Sequence, residues 1–271
     1  MQVPAGAGVH TIDTDVVIVG SGCGGGVAAK NVAAAGHRVL VVDMASYFPP
    51  EHFPMPQVPG LHHLFDNGGV YMTESGASIL AGSAWGGGGT VNWSVCLRPQ
   101  KVVREEWAAA GLGFFTTRAF DECVDRVWEF AGAGVEGIRH NHGNETLLEG
   151  SRKLGFTARE APQNTGGKPH YCGQCHLGCS SAGKRGPAVS WLPEAAGAGA
   201  EFMDGFRVDR VVFDEDGKTA IGVEGQWTER ESGEGGERVK RRVRVRAKKV
   251  IISAGALRSP LLLEDSGIQV S

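Results

Sequence analysis

The sequence predicts an α/β fold that carries an antiparallel β-meander, and three observations predict it. From Asp15 to Asp43 an apolar strand meets a glycine turn, a small-residue helix and a second apolar strand. After Phe206, β-branched and alternating segments are joined by glycine and acidic turns. Near the end, the apolar Val250 to Ile252 runs into Ser253, Ala254, Gly255 and Ala256, which repeats the opening logic of strand into small-residue turn.

Each element of the opening unit has a physical reason. Val16 to Val19 reads as a buried strand, and Gly20, Gly22 and Gly25 follow it in GxGxxG spacing. The first glycine permits the tight turn, the second lets a pyrophosphate touch bare backbone, and the third lets the helix lie close on the strand. The helix start then presents free N–H groups and partial positive charge to an anion. Gly20, Ser21, Gly22, Cys23, Gly24 and Gly25 are therefore the candidate cofactor loop. Ala28, Ala29, Ala33 and Ala34 keep the helix slim, and Gly36 fits its C-terminal stop. Asp43, 23 residues after Gly20, ends the second strand, where an acid accepts hydrogen bonds from a ribose 2′-OH and repels a 2′-phosphate. The whole describes a Rossmann-like dinucleotide site.

Composition narrows the class. The chain has 271 residues, 41% hydrophobic and 21% charged, which describes a globular protein rather than a disordered one. Its 42 glycines cluster in turns without a period, so collagen-like and low-complexity readings fail. A net charge of −3 gives no support to a nucleic-acid partner. No apolar run reaches the roughly 18 to 20 residues of a membrane span, and MQVPAGAGVHTIDTD has neither a basic start nor an apolar h-region. The expectation is an intracellular protein; a peripheral membrane association stays open, with no residue here arguing for it. Three of the six cysteines fall within eight residues, which reads as a reducing compartment or a metal site rather than a disulfide framework.

Residues 44–80 interrupt the pattern. MASYFPPEHFPMPQVPGLHH holds five prolines among aromatics and histidines, an irregular excursion of the kind that covers a cofactor or makes a subunit contact. His52, His62 and His63 lack a convergent acid or cysteine, so no metal is assigned to them. In the next glycine-dense stretch, Gly86, Gly87, Gly88 and Gly89 expose consecutive N–H groups to a flat or anionic ligand. Thr90, Asn92 and Ser94 then alternate with Val91, Trp93 and Val95, a period of two that puts the polar groups on one side.

Residues 117–130 predict an amphipathic helix whose apolar face, with Phe120, Val124, Val127 and Trp128, makes Cys123 a core thiol. A further short helix is expected from Glu145 to Leu154. In YCGQCHLGC, Cys172, Cys175 and Cys179 have CxxCxxxC spacing beside His170 and His176. Such a set holds zinc or an iron–sulfur cluster, or it is a turn of packed or free thiols. A fourth ligand at recognised spacing is absent, so no metal ligand is assigned and both readings stay open. The meander follows: FRVDRVVFD, the turn EDGK, TAIGVEGQWTE, the turn ESGEGGE and RVKRRVRVRA. Arg242, Arg244 and Arg246 alternate with Val243, Val245 and Ala247, which describes a sheet with one solvated face rather than a nucleic-acid or lipid site. At the end Ser259 is expected to cap a short helix, with Pro260 at its first position and Gly267 past its end.

With these stretches in place, the chain resembles the glucose–methanol–choline family of FAD oxidoreductases, and most closely its long-chain alcohol oxidase branch. VIVGSGCGGGVAA is similar to that branch's FAD fingerprint, GSAWGGGGTVNWSVCLR to the family's first signature, and AGALRSPLLLEDSGI to the second, with Gln269 where many members have glycine. YCGQCHLGC followed by KRGPAVSWLPEA also resembles the branch. The resemblance implies FAD as cofactor, with Gly86 to Gly89 and Asn92 along the flavin and the Val208 backbone at the adenine; Arg98 has a counterpart too. It implies a Rossmann-like FAD-binding domain, with residues 12–99 holding the βαβ unit and glycine run, 100–200 a partial cap or substrate region, and 201–271 the meander and closing strand. The implied activity is oxidation of a primary long-chain alcohol, a small molecule, to the aldehyde by hydride transfer to flavin N5.

In this family the catalytic base is a histidine, with a histidine or asparagine partner, beyond the second signature. None of the nine histidines here stands in that motif, so no catalytic residue is assigned. The chain is expected to be the FAD-binding part of such an enzyme, with slow or absent turnover alone. Three rivals remain: a flavin-binding module without catalysis, an NAD-dependent dehydrogenase, and a dehydrogenase that passes electrons through Cys172, Cys175 and Cys179. Against the NAD reading stand the second glycine stretch and the distant closing strand.

Overall fold

The computed structural model describes residues 8–170, 173–181, 183–230 and 238–269. Cys172 and the turn ESGEGGE lie outside the described residues. The elements run β1 (His10–Val19), α1 (Cys23–Ala34), β2 (Val39–Val42), α2 (Gln57–Leu64), the single turn α3 (Gly88–Val91), α4 (Lys101–Ala109), α5 (Arg118–Ala131), α6 (His142–Lys153), α7 (Trp191–Gly197), β3 (Glu201–Met203), β4 (Phe206–Phe213), β5 (Ala220–Thr228), β6 (Lys240–Ile252) and α8 (Gly255–Asp265). They fall into two compact units. One holds the chain up to Val91, His176–Gly178 and everything from Gly186 on; the other holds Asn92–Cys175 and Cys179–Arg185. Among the described residues, no helix is long and apolar enough to cross a membrane.

The first unit is built on a six-stranded sheet in the order β3-β2-β1-β6-β5-β4. β3, β2, β1 and β6 are mutually parallel, whereas β5 and β4 continue antiparallel. The apolar run of β1 serves both faces: Val16 and Ile18 point to the side of α1 and α7, and Val17 and Val19 to the side of the meander and α8. On the helical side, a Cβ at Gly26 would lie 3.2 Å from Pro187 and 3.3 Å from Trp191, so glycine lets α1 and α7 approach.

β6 is longer than expected. The third meander strand and the closing strand are one 13-residue strand, paired with β5 through its first half and with β1 through Ile252. Val243, Val245 and Ala247 are buried, while Arg242, Arg244 and Arg246 pair with Asp209, Glu224 and Asp13. At the C-terminus, α8 starts at Gly255, so Ser259 is not its cap and Pro260 lies inside it. The tight turn after β6 nucleates the helix sooner than the Ser-Pro pair signals. Similarly, the proline-rich 44–80 excursion holds the short helix α2, which tolerates Pro59 because its first turn needs no N–H donor there.

Glu224 is the acid that organises the arginine face. It lies opposite Arg210 on one side and Arg244 on the other, with bonds of 2.7 Å from Arg210 Nε and 2.8 Å from Arg244 Nη2. The Arg244 bond, helped by Arg210 and opposed by burial, holds its carboxyl below the ordinary 4.5. A lowered carboxyl contributes stability that is complete above the unfolded value and lost as pH falls through the folded value. Glu224→Gln should therefore cost about 1 to 3 kcal/mol near neutral pH and flatten the loss of stability below about pH 4.5. Urea melts across the acidic range check both.

In the second unit, α4 occupies a stretch to which the sequence assigned no element. It is held by Arg104, whose Nε donates to the Phe115 carbonyl at 2.6 Å and whose guanidinium pairs with Asp121 at 2.8 Å. Around it Trp107, Phe115 and Phe120 stack edge to face, with centroids 4.9 and 5.1 Å apart. α5 begins at the Thr117 cap and ends on left-handed Gly132, where a Cβ would stand 2.6 Å from Gly166 Cα. Its apolar face is less covered than the amphipathic pattern implies. Cys123 is half-buried and lines an open cleft of about 470 Å³ with Val95, Leu97, Val124, Val127 and Trp128. It is therefore not a core thiol.

Candidate functional site

The first unit assembles the glycine loop, Asp43 and the glycine run around one side chain, Ser21. Its hydroxyl donates to Asp43 Oδ2 at 2.6 Å and accepts the Gly86 N–H at 2.9 Å, and its own N–H donates to the same Oδ2 at 2.7 Å. Asp43 Oδ1 accepts the Ala45 N–H at 2.8 Å. A carboxylate accepts about four hydrogen bonds, so one position stays open for a further donor. Burial raises the Asp43 carboxyl above its usual range, and the charge of Asp204 adds to this against the donors from Ser21 and Ala45. The acid is thus a structural hub as well as the candidate ribose acceptor.

The glycines divide into two kinds. Gly20 has φ +104°, and a Cβ there would lie 2.2 Å from the Ser253 carbonyl at the end of β6; at Gly25 it would lie 1.8 Å from the Gly20 carbonyl. A Cβ at Gly24 would meet Ser253 Oγ at 2.6 Å, and one at Gly89 would meet Pro187 at 2.3 Å. At Gly86 and Gly87, φ values of +88° and +56° demand glycine. These positions are small because the protein itself fills the space. Gly22 and Gly88 differ. Gly22 has φ −64°, and a Cβ would meet nothing nearer than Gly87 Cα at 3.8 Å. Gly88 is exposed, lies outside the left-handed region, and among the described residues has no atom within 4 Å of that position beyond its chain neighbours and its own helix backbone. Neither backbone nor packing asks for glycine at these two, which leaves their backbone open to a ligand.

The start of α1 fits the same ligand. Gly22 is its N-cap, no side chain caps it, and no acid stands in its first turn, so its N–H groups suit an anion. Cys23 is exposed as a residue, but its sulfur turns in toward Gly89, and burial raises the thiol. An anion-binding helix start, a carboxylate with a free acceptor position and a glycine floor match FAD in kind: pyrophosphate, ribose and flat ring.

Val208 lies on β4, at the edge of the sheet next to a bulge, two residues after Phe206, whose N–H donates to the Asp43 carbonyl at 2.8 Å. Asn92 belongs to the second unit, where its Oδ1 is buried with no hydrogen-bond partner among the described residues and its carbonyl accepts Lys184 Nζ at 2.7 Å. The alternation from Thr90 to Val95 is not a strand. α3 ends it at Val91, the Thr90 hydroxyl bonds the Trp85 carbonyl, Ser94 has φ +66°, and Trp93 is exposed. Among the described residues, no group of three or more His, Cys, Asp or Glu side chains is placed to hold a metal ion. Two residues escaped sequence reasoning. Ser253 supports the glycine loop and had only the run of small residues as a signal. Lys184, the first residue of KRGPAVSWLPEA, is buried with its ammonium on the carbonyls of Asn92 and Cys175, and no local pattern marks that burial.

The family model described as GMC oxidoreductase matches residues 61–271. Two long-chain-alcohol oxidases of Arabidopsis thaliana are 34% identical over 261 residues and 33% identical over 273, covering 95% and 97% of this chain. A GMC-type oxidoreductase of Mycobacterium tuberculosis is 31% identical over 264 residues, 94% of this chain and 39% of its own length. The chain spans about a third, 35%, of each plant relative. Among solved structures, pyridoxine 4-oxidase from Mesorbium loti shares the fold with TM-score 0.63 at 19% identity, over 94% of this chain and 52% of that one. A formate oxidase of Aspergillus oryzae does so with TM-score 0.61 at 15% identity, over 96% and 48%. The chain belongs to the GMC oxidoreductase family, and FAD is its cofactor.

Proposed function

We propose that the protein oxidises the CH–OH group of a primary, long-chain alcohol to the aldehyde. The observation that carries the cofactor half of this reading is the pair Gly22 and Gly88, bare where the protein itself requires no glycine. The substrate half is supported by the plant relatives, which are long-chain-alcohol oxidases. FAD, when bound, supplies the hydride acceptor for the carbinol carbon. The residues of this chain bind and orient it: Gly20, Ser21, Gly22, Cys23, Gly24 and Gly25 take the pyrophosphate, Asp43 the ribose, the Val208 backbone the adenine, and Gly86 to Gly89 the ring. Ser21 ties the pyrophosphate loop to the glycine run, so the pyrophosphate and the ring are positioned together. No residue of this chain is assigned as the base.

The test has two parts. The purified protein should show a flavin absorption spectrum, and acid should release fluorescent FAD. Anaerobic addition of 1-hexadecanol to the full-length protein should then bleach that spectrum and yield hexadecanal, whereas a short alcohol such as ethanol should not. Bound flavin that no primary alcohol reduces would leave a flavin-binding module and sink the oxidase reading.

A further inference from the structure

The second unit holds a cluster that the cofactor site does not use. Cys179 Sγ lies 3.3 Å from His170 Nε2 and 3.4 Å from Ser181 Oγ. Cys175 Sγ lies 3.9 Å from the other ring nitrogen, His170 Nδ1, and 3.6 Å from Ser94 Oγ. One imidazole therefore stands between two thiols. Neither is in a disulfide, and both are half-buried, within reach of a small reagent. Among the described residues, the two sulfurs engage different nitrogens of the ring, Nε2 and Nδ1.

The electrostatics suit nucleophilic chemistry. Burial lowers His170, and the Lys184 charge lowers it further, so the ring is neutral near pH 7 and can take a proton. Burial alone would raise the Cys179 thiol. The Ser181 hydroxyl, the backbone N–H groups of Lys184 and Gly183 and the Lys184 ammonium outweigh it, and the thiol is lowered. The ammonium is itself fixed, 2.7 Å from the carbonyls of both Asn92 and Cys175.

We infer that Cys179 is a modification site, a thiol oxidised by hydroperoxides, with His170 as its base and Cys175 as the resolving thiol. The Cys179 sulfur attacks one peroxide oxygen: an S–O bond forms, the O–O bond breaks, and the alcohol or water leaves with the proton that His170 received. Sulfur is oxidised by two electrons to the sulfenic acid and the peroxide is reduced. Cys175 then attacks that sulfur; an S–S bond forms, the S–O bond breaks and water leaves. The imidazole must swing from between the sulfurs to let the disulfide close.

The experiment treats the purified protein with one equivalent of hydrogen peroxide, blocks remaining thiols and maps the peptides by mass. A Cys175 to Cys179 disulfide is expected, with Cys23 still reduced. Cys175→Ser should stop at a sulfenic acid on Cys179 that dimedone captures, and Cys179→Ser should give neither product. His170→Ala, folded by circular dichroism, should slow the oxidation of Cys179 about tenfold. Oxidation of Cys179 no faster than that of Cys23 or Cys123 would overturn the proposal. So would a disulfide to Cys172, or a purified protein whose iron or zinc shields these thiols until it is chelated.

Discussion

Gly22→Val is expected to leave the apoprotein folded and to strip it of FAD. The backbone at Gly22 is in a conformation open to any residue, and a Cβ there would approach no protein atom closer than 3.8 Å. Exchanging glycine for valine at a helix N-cap costs about 1 kcal/mol or less. The added methyl groups instead stand where the second glycine of the loop admits a pyrophosphate to bare N–H groups. Displacing that contact should weaken FAD binding by about 100-fold or more, roughly 3 kcal/mol. Gly25→Ala makes the opposite prediction. Its Cβ would fall 1.8 Å from the Gly20 carbonyl, so α1 must move off the strand, and stability should drop by about 3 kcal/mol or more. Flavin content per protein and urea melts of the apoproteins, measured on both variants, separate the two. A Gly22→Val protein that keeps its flavin would show that no ligand rests on this backbone.

Asp43→Ala should be strongly damaging in the first unit. It removes the acceptor for three donors, namely the Ser21 N–H, the Ser21 O–H and the Ala45 N–H. Ser21 then loses the bond that aims its oxygen at the Gly86 N–H. Leaving such donors unsatisfied should cost about 3 kcal/mol or more, a fall in Tm of roughly 6 to 12 °C for a chain of this size. Flavin should be lost with it, because the loop and the glycine run are no longer tied. Asp43→Asn isolates the charge. The folded carboxyl is raised above its ordinary 3.8, chiefly by burial, so it binds its proton more tightly than in the unfolded chain. Its contribution to stability is therefore greatest at low pH and falls as pH rises from 3.8 through the folded value. The asparagine variant should lose that slope while losing stability overall. A variant that melts like the parent across this range would show that Asp43 is not the hub.

Some of this was legible in the chain itself and some was not. The GxGxxG spacing, the acid at the end of β2, the amphipathic α5 and the alternation of valine and arginine in β6 are readable because each is a local period or a backbone conformation that a few neighbouring residues dictate. Boundaries were less so: α8 began before its apparent Ser-Pro cap, and two expected strands were one, since pairing with β1 and β5 at once rewards a longer β6 than local propensity requires. Cys123 was misplaced because an apolar face says what wants covering, not whether anything covers it. What the sequence determined by itself is the family of backbone shapes and the cofactor class. What only the tertiary structure decided is which glycines are small because protein atoms crowd them and which are not, that Ser21 joins two glycine tracts 65 residues apart, and that one imidazole stands between two thiols beside a buried lysine. Those are contacts between residues far apart in the chain, and their energies appear only when packing brings the partners within hydrogen-bond distance.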